Sequence, residues 1–220
     1  MTGTIPTYAV IPTEGRPCLH DCVAALADQV DRVILVANNG YEGQNSGRSC
    51  SVVRDRNPVP NISRWWNIGL ETVRRRMERD GELWQDRWNV LVVNDDTVMA
   101  PGSVATLTAG LRKYDGAQLA FPGLRSAEGL MRHPNPIRIT GWCFALRGEA
   151  GLRADEELAW WAGDNDLDWR ARQSGGTVVV PGVEHQHLHP NGYTVARPDL
   201  TEQAGKDMAR FVEKWGRPAW

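Results

Sequence analysis

Four short apolar runs, interleaved with helical periodicity, constrain this chain more than any other feature. Tyr8-Ala9-Val10-Ile11 is the first run, ended by Pro12, after which Leu19, Cys22, Val23, Leu26 and Val30 recur at helical spacing. Residues 33–36 form the second run, closed by the turn signal Asn38-Asn39-Gly40, and residues 51–53 form a short third. A helix is predicted from Ser63, read as its N-cap, to about Arg79, and residues 88–93 are the fourth run. Such β-α-β-α alternation predicts an α/β fold, a mostly parallel central sheet flanked by helices.

The second half is less regular. Residues 101–113 read as a helix and 118–121 as a strand. Residues 137–147 read as a strand kinked at Gly141. A helix over 164–173 is closed by Ser174-Gly175-Gly176, and 177–180 is another strand. A final helix over about 201–215 places Met208, Phe211, Val212 and Trp215 on one face. No linker or repeat divides the chain, so one domain over residues 1–220 is expected. With 220 residues and 41% hydrophobic content, that domain can bury a proper core.

A net charge of −2 gives no global electrostatic case for nucleic acid or anionic membrane as the main partner. The basic run Arg74-Arg75-Arg76 with Arg79 reads as a solvated helix face. Cys18, Cys22, Cys50 and Cys143 have neither zinc-type spacing nor the density of a disulfide scaffold, which predicts reduced thiols and a cytoplasmic location. Neither an export signal nor a run long enough for stable membrane insertion is expected.

Chemistry-bearing residues gather at the ends of the strands. The fourth run feeds directly into Asn94-Asp95-Asp96, and adjacent carboxylates at the end of a core strand need a cation, a substrate or solvent. At the C-terminal edge of a parallel sheet a hard metal ion carrying phosphate oxygens is the natural occupant, although a plain surface turn or a helix cap satisfies the same residues. The loop Pro12-Thr13-Glu14-Gly15-Arg16 offers close backbone approach and a guanidinium for phosphate. Asn38 and Asn39 offer amides to a base or ribose. Asp164 opens a helix, whose unpaired N–H groups keep a carboxylate ionised. Trp160 and Trp161 before it can pack in the core or stack on the apolar face of a sugar. His185, His187 and His189 alternate along one extended segment and face one side, as metal or phosphate contacts would, although an exposed polar edge without a ligand satisfies the same spacing.

In this order the motifs resemble the inverting glycosyltransferases of family 2, with their GT-A nucleotide-sugar-binding fold, over about residues 8–189. Val10-Ile11-Pro12-Thr13 and Val36-Ala37-Asn38-Asn39-Gly40 resemble the strand ends that open the nucleotide pocket. Ser63-Arg64-Trp65-Trp66-Asn67-Ile68-Gly69-Leu70 is similar to the family's Arg-Asn-x-Gly-Leu helix, with the arginine displaced. Asn94-Asp95-Asp96 matches the metal-binding DXD motif with Asn first. Gly163-Asp164-Asn165-Asp166-Leu167 resembles the Glu-Asp-x-Asp-Leu segment, with Gly163 in place of the acidic first residue.

The resemblance implies a nucleotide-binding half over 1–97, an acceptor half over 98–190 and a C-terminal tail over 191–220. It implies a metal-dependent glycosyltransferase of hexosyltransferase type, using Mn²⁺ or Mg²⁺ and a nucleoside-diphosphate sugar. Asp164 would be the catalytic base. Pro12, Thr13, Arg16, Asn38, Asn39, Asn67, Asn94 and Asp95 would contact the donor, with Asp166 and Arg170 supporting the helix. Asp96 would bind the metal together with His187, which is preferred over His185 and His189. Trp142, Trp160 and Trp161 would stack on sugar rings. The acceptor stays open between a soluble glycan, a protein and a modified DNA base, and a bacterial or bacteriophage source suits the compact size. Gly163 keeps a non-catalytic sugar-nucleotide or glycan binder in view, and the related sheet of sugar-1-phosphate nucleotidyltransferases is a third reading.

Overall fold

The computed structural model describes residues 5–38, 40–43, 50–79, 87–123, 128–133, 139, 141–189 and 192–219. The apolar runs of the first half become strands β1 (Thr7–Thr13), β2 (Arg32–Ala37), β3 (Cys50–Arg54) and β4 (Asn89–Val93). Helices α1 (Leu19–Leu26) and α2 (Ile62–Arg79) lie between them. The chain continues through β5 (Thr97–Met99), α3 (Ser103–Lys113), β6 (Leu119–Pro122), β7 (Gly129–Met131) and β8 (Cys143–Arg147). It closes with α4 (Gly163–Ser174), β9 (Thr177–Val180), β10 (His185–His187), α5 (Gly192–Val195) and α6 (Pro198–Trp215).

Eight strands form one sheet in the order β3-β2-β1-β4-β8-β6-β9-β7, and β5 and β10 form a separate two-stranded ribbon. The half β3-β2-β1-β4 is entirely parallel. Strand β8 then runs antiparallel to both β4 and β6, so the sheet is mixed but mostly parallel, as an α/β chain of this pattern predicts.

Alternate residues of each strand enter opposite cores. Tyr8, Val10, Ile34, Val36, Val90 and Val92 pack on the side of α2, while Ala9, Ile11, Val33, Leu35, Leu91 and Val93 pack on the side of α1 and α3. Burial on both faces explains why these strands read as continuous apolar runs. Gly69 lets α2 approach β1: a Cβ there would lie 2.9 Å or less from both Val10 methyl groups.

Several local expectations change. Asn61, not Ser63, caps α2, its Oδ1 accepting the Arg64 N–H at 2.8 Å; the Ser63 hydroxyl instead donates to Leu158 O at 2.6 Å. Strand β8 begins at Cys143, beyond the predicted kink at Gly141. On α6, Phe211 is buried and Met208 and Trp215 pack beside it, whereas Val212 is exposed. Arg74 and Arg75 pair with Glu71, so part of the basic run is locally neutralised. Cys18, Cys22, Cys50 and Cys143 are all outside disulfides. Among the described residues no helix is long and apolar enough to cross a membrane.

Candidate active site

The parallel strands β1, β2 and β4 end at one edge of the sheet and deliver their polar termini to a single cleft. Pro12, Thr13, Glu14 and Arg16 line it from β1, Asn38 from β2, and Asn94, Asp95 and Asp96 from β4. Asp95 is buried with both oxygens engaged. Thr13 Oγ1 donates to Oδ2 at 2.7 Å, and Arg16 donates from Nε to Oδ1 at 3.1 Å and from Nη2 to the same atom. Arg16 Nη2 also stands 3.1 Å from Asp96 Oδ2. Burial alone would weaken the guanidinium's hold on its proton, but the bond and charge of Asp95 outweigh it and raise the Arg16 pKa.

The ribbon of β5 and β10 supplies the next wall. The chain turns after the acidic step, Thr97 N donating to Asn94 O at 3.2 Å, and β5 pairs antiparallel with β10 so that His187 lies opposite Thr97. Leu188 N then donates to Asp96 O at 2.8 Å. This register brings His187 Nε2 to 3.2 Å from Asp96 Oδ1, an oxygen that is buried and has no hydrogen bond aligned on it. Burial disfavours the Asp96 charge, yet His187 and Arg16 outweigh it and hold the carboxyl below its ordinary value. Trp142 braces the ribbon, its ring centroid 4.0 Å from that of His185 and 5.5 Å from that of His187.

Asp164 also lines the cleft, from the first turn of α4. Ala162, at the N-cap, has φ of 58°, and among the described residues it is the one non-glycine position with positive φ. Such backbone costs about 1–3 kcal/mol and persists where surrounding contacts impose it. Those contacts come from α6: the buried Asp207 carboxylate accepts the N–H groups of Ala159 at 3.2 Å, Trp160 at 2.6 Å and Trp161 at 2.8 Å. Trp215 Nε1 and Lys214 Nζ of α6 both reach Asp166 Oδ1 at 2.9 Å, which docks α4 on the same helix, and Arg170 Nε within α4 holds Asp166 Oδ2 at 2.8 Å.

Short helix α5 contributes Tyr193 and Thr194 to the cleft lining. Tyr193 donates to Glu14 Oε2 at 2.8 Å and its ring lies 5.4 Å from Arg16 Cζ, while Trp160 Nε1 donates to Thr194 Oγ1 at 2.9 Å.

Of the residues singled out in the sequence, Pro12, Thr13, Arg16, Asn38, Asn94, Asp95, Asp96, Trp142, Trp160, Trp161, Asp164, His187 and His189 all line this cleft. Asn67 does not: its side chain faces the loop before α4, donating to Ala154 O at 3.0 Å and accepting from Ala154 N at 2.8 Å. His185 is turned toward Trp142, with Nδ1 3.1 Å from Val183 O, outside the lining. Asn39 lies outside the described residues. Sequence reasoning missed the parts of Glu14, Trp65, Trp66 and Tyr193 in the lining, and that of Asp207 behind it. Asp207 had a signal, since it falls between Leu200 and Phe211 on the buried stripe of α6, where an unpartnered carboxylate cannot sit.

A divalent cation finds two donors here, the orphaned Asp96 Oδ1 and the nearby His187 Nε2, of the oxygen and imidazole types that such ions accept. Among the described residues no group of three His, Cys, Asp or Glu side chains converges as a ready cage, so these two donors supply only part of a cation's coordination shell.

A mixed sheet of this order, with its cleft at the parallel strand ends, has the GT-A architecture, and solved structures share it. A Pyrobaculum calidifontis mannosyltransferase, PcManGT, solved with GDP-Man and Mn²⁺, matches with a TM-score of 0.61 at 12% identity, over 99% of this chain and 66% of that one. Residues 1–349 of S. aureus TarS match with a TM-score of 0.57 at 10% identity, over 90% of this chain and 65% of that one. This chain thus spans just under two thirds of either solved chain. A UTP-bound UGPase from Acinetobacter baumannii matches with a TM-score of 0.54 at 11% identity, over 96% of this chain and 100% of that one. Neither a protein-family model nor a curated protein matches the sequence.

Proposed function

We propose that the chain is an inverting glycosyltransferase that moves a sugar from a nucleoside-diphosphate sugar to an acceptor hydroxyl. The observation that carries this reading is that Asp164 lines the same cleft as Asp95, Asp96, Arg16 and His187. Single displacement needs a donor pocket and a base within one cleft, and these residues supply both.

Thr13, Asn38 and Asn94 hold the nucleotide side, and Arg16 offers a planar fork to the diphosphate. Asp96 and His187 would hold Mn²⁺ or Mg²⁺, which supplies positive charge against the departing diphosphate. Asp164 takes the proton from the acceptor oxygen as that oxygen bonds to the anomeric carbon, and the diphosphate leaves with the electron pair of the broken bond. Asp164 is buried in the first turn of α4, where the helix N-terminus favours negative charge. Trp142, Trp160 and Trp161 give the cleft apolar faces suited to sugar rings, with Trp142 already stacked on the histidines.

The test is titration of nucleoside diphosphates and UTP, each with and without Mn²⁺, into the wild type and Asp164→Asn. Cation-dependent diphosphate binding retained in Asp164→Asn, with sugar transfer abolished, is the expected result. Near-normal turnover by Asp164→Asn removes it as the base. Exchange of pyrophosphate into UTP in the presence of a sugar 1-phosphate would establish nucleotidyl transfer instead, the chemistry to which the UGPase likeness points.

A further inference from the structure

We propose that Arg16 is a tethered counter-ion of the Asn94-Asp95-Asp96 step, holding the place of a divalent cation and yielding it when a diphosphate draws the guanidinium away. Arg16 contacts both aspartates, through Nε and Nη2 to Asp95 Oδ1 and through Nη2 to Asp96 Oδ2 at 3.1 Å. Asp95 is saturated by Arg16 and Thr13. Asp96 Oδ1 is left as the orphaned acceptor, beside His187. A divalent ion reaching that oxygen would therefore enter a pair of carboxylates already neutralised in part by a guanidinium on the adjoining atom. Like charges this close, away from bulk water, oppose one another strongly.

The arrangement also says where Arg16 can go. Its guanidinium lies under the Tyr193 ring, which Glu14 fixes by hydrogen bond, so it is held between the acidic step and α5 at the cleft lining. A diphosphate in the cleft offers the planar fork a bidentate partner of higher charge than either aspartate. Transfer of Arg16 to phosphate frees Asp95 and Asp96 for the cation. Cation and diphosphate then bind cooperatively, each raising the affinity of the other by the same factor.

The experiment is calorimetric titration of Mn²⁺ alone into the wild type, Arg16→Gln, Arg16→Met and each of these two combined with Asp96→Ala, with thermal unfolding of every variant recorded. Both neutral replacements at Arg16 are expected to bind Mn²⁺ about tenfold more tightly than the wild type or better, and to lose that binding with Asp96→Ala. Either folded replacement suffices. Mn²⁺ affinity that is unchanged or weaker in a folded Arg16 variant overturns the inference, as does tighter binding that survives Asp96→Ala. The diphosphate arm rests on the donor-site reading, and UDP and GDP with and without Mn²⁺ test it separately. If no variant binds either nucleotide while Arg16→Gln gains Mn²⁺ at Asp96, the counter-ion role stands and the donor reading falls.

Discussion

The carboxylate of Asp164 lies directly over the α-carbon of Gly141, where a Cβ would come within 2.9 Å of Asp164 Cγ and nearer still to Oδ2. No side chain larger than hydrogen fits there without moving the carboxylate. Gly141→Ala is therefore expected to displace Asp164 and reduce sugar transfer about 100-fold, the usual effect of misplacing a reacting group by about 1 Å. Nucleotide binding, which the proposed function assigns to Thr13, Asn38 and Asn94, should be unaltered. Parallel loss of nucleotide affinity would mean that Gly141 also sets the nucleotide side.

Tyr193 reports on the seating of α5. Its phenol is pushed up to about 12, first by burial and then by the Glu14 carboxylate to which it donates. Because the folded value exceeds the ordinary one near 10, the stabilisation from this contact is complete below about pH 10 and is lost as pH rises through about 12. Tyr193→Phe is expected to delete a component near pH 12 from the alkaline ultraviolet titration. A deleted component centred near 10 would show that Tyr193 is not latched to Glu14 in solution.

Asn67 matches a motif position in the sequence, but its side chain faces a loop and not the cleft. Its amide accepts from Ala154 N at 2.8 Å and donates to Ala154 O at 3.0 Å and Glu156 Oε1 at 2.9 Å, tying α2 to the loop before α4. Asn67→Ala is expected to lower the unfolding free energy by about 2 kcal/mol in urea titration while leaving nucleotide affinity unchanged. A drop in nucleotide affinity without a drop in stability would return Asn67 to the donor side.

The parts legible in the sequence are those whose physics is local. Strands such as β1 and β4 announce themselves because burial on both faces demands continuous apolar runs, and Asp95, Asp96 and Asp164 stand out because carboxylates next to such elements need a reason. Alternation predicts His185, His187 and His189 on one side; His185 and His187 both lie beside Trp142, yet only His187 and His189 line the cleft. What local pattern does not carry is pairing at a distance. Strands β5 and β10 are three residues each, too short for a period, yet their register alone sets His187 beside Asp96. Helical phase puts Asn67 on a face of α2 without saying that a loop, and not the cleft, covers it. Capping by Asn61 over Ser63 was decided by Leu158 O, which lies 95 residues away and claims the serine hydroxyl.

The same distance hides Asp207, whose buried carboxylate gathers three successive backbone N–H groups from Ala159 to Trp161 and the side chain of Gln203 at 2.8 Å. Three N–H groups converging on one carboxylate fix the direction in which the chain enters Ala162, and thereby where Trp160, Trp161 and Asp164 point. Removing the acceptor leaves those donors buried and unpaired, at about 1–3 kcal/mol each before water or relaxation compensates. Asp207→Ala is expected to cost at least about 3 kcal/mol in denaturant unfolding. Asp207→Asn keeps the shape and one acceptor, and is expected to cost less while still impairing transfer. The decisive comparison for Asp207→Asn, under conditions where it is fully folded, is transfer rate against nucleotide affinity. Loss of transfer with intact affinity assigns Asp207 to positioning of the Asp164 wall, and equal loss of both assigns it to stability alone.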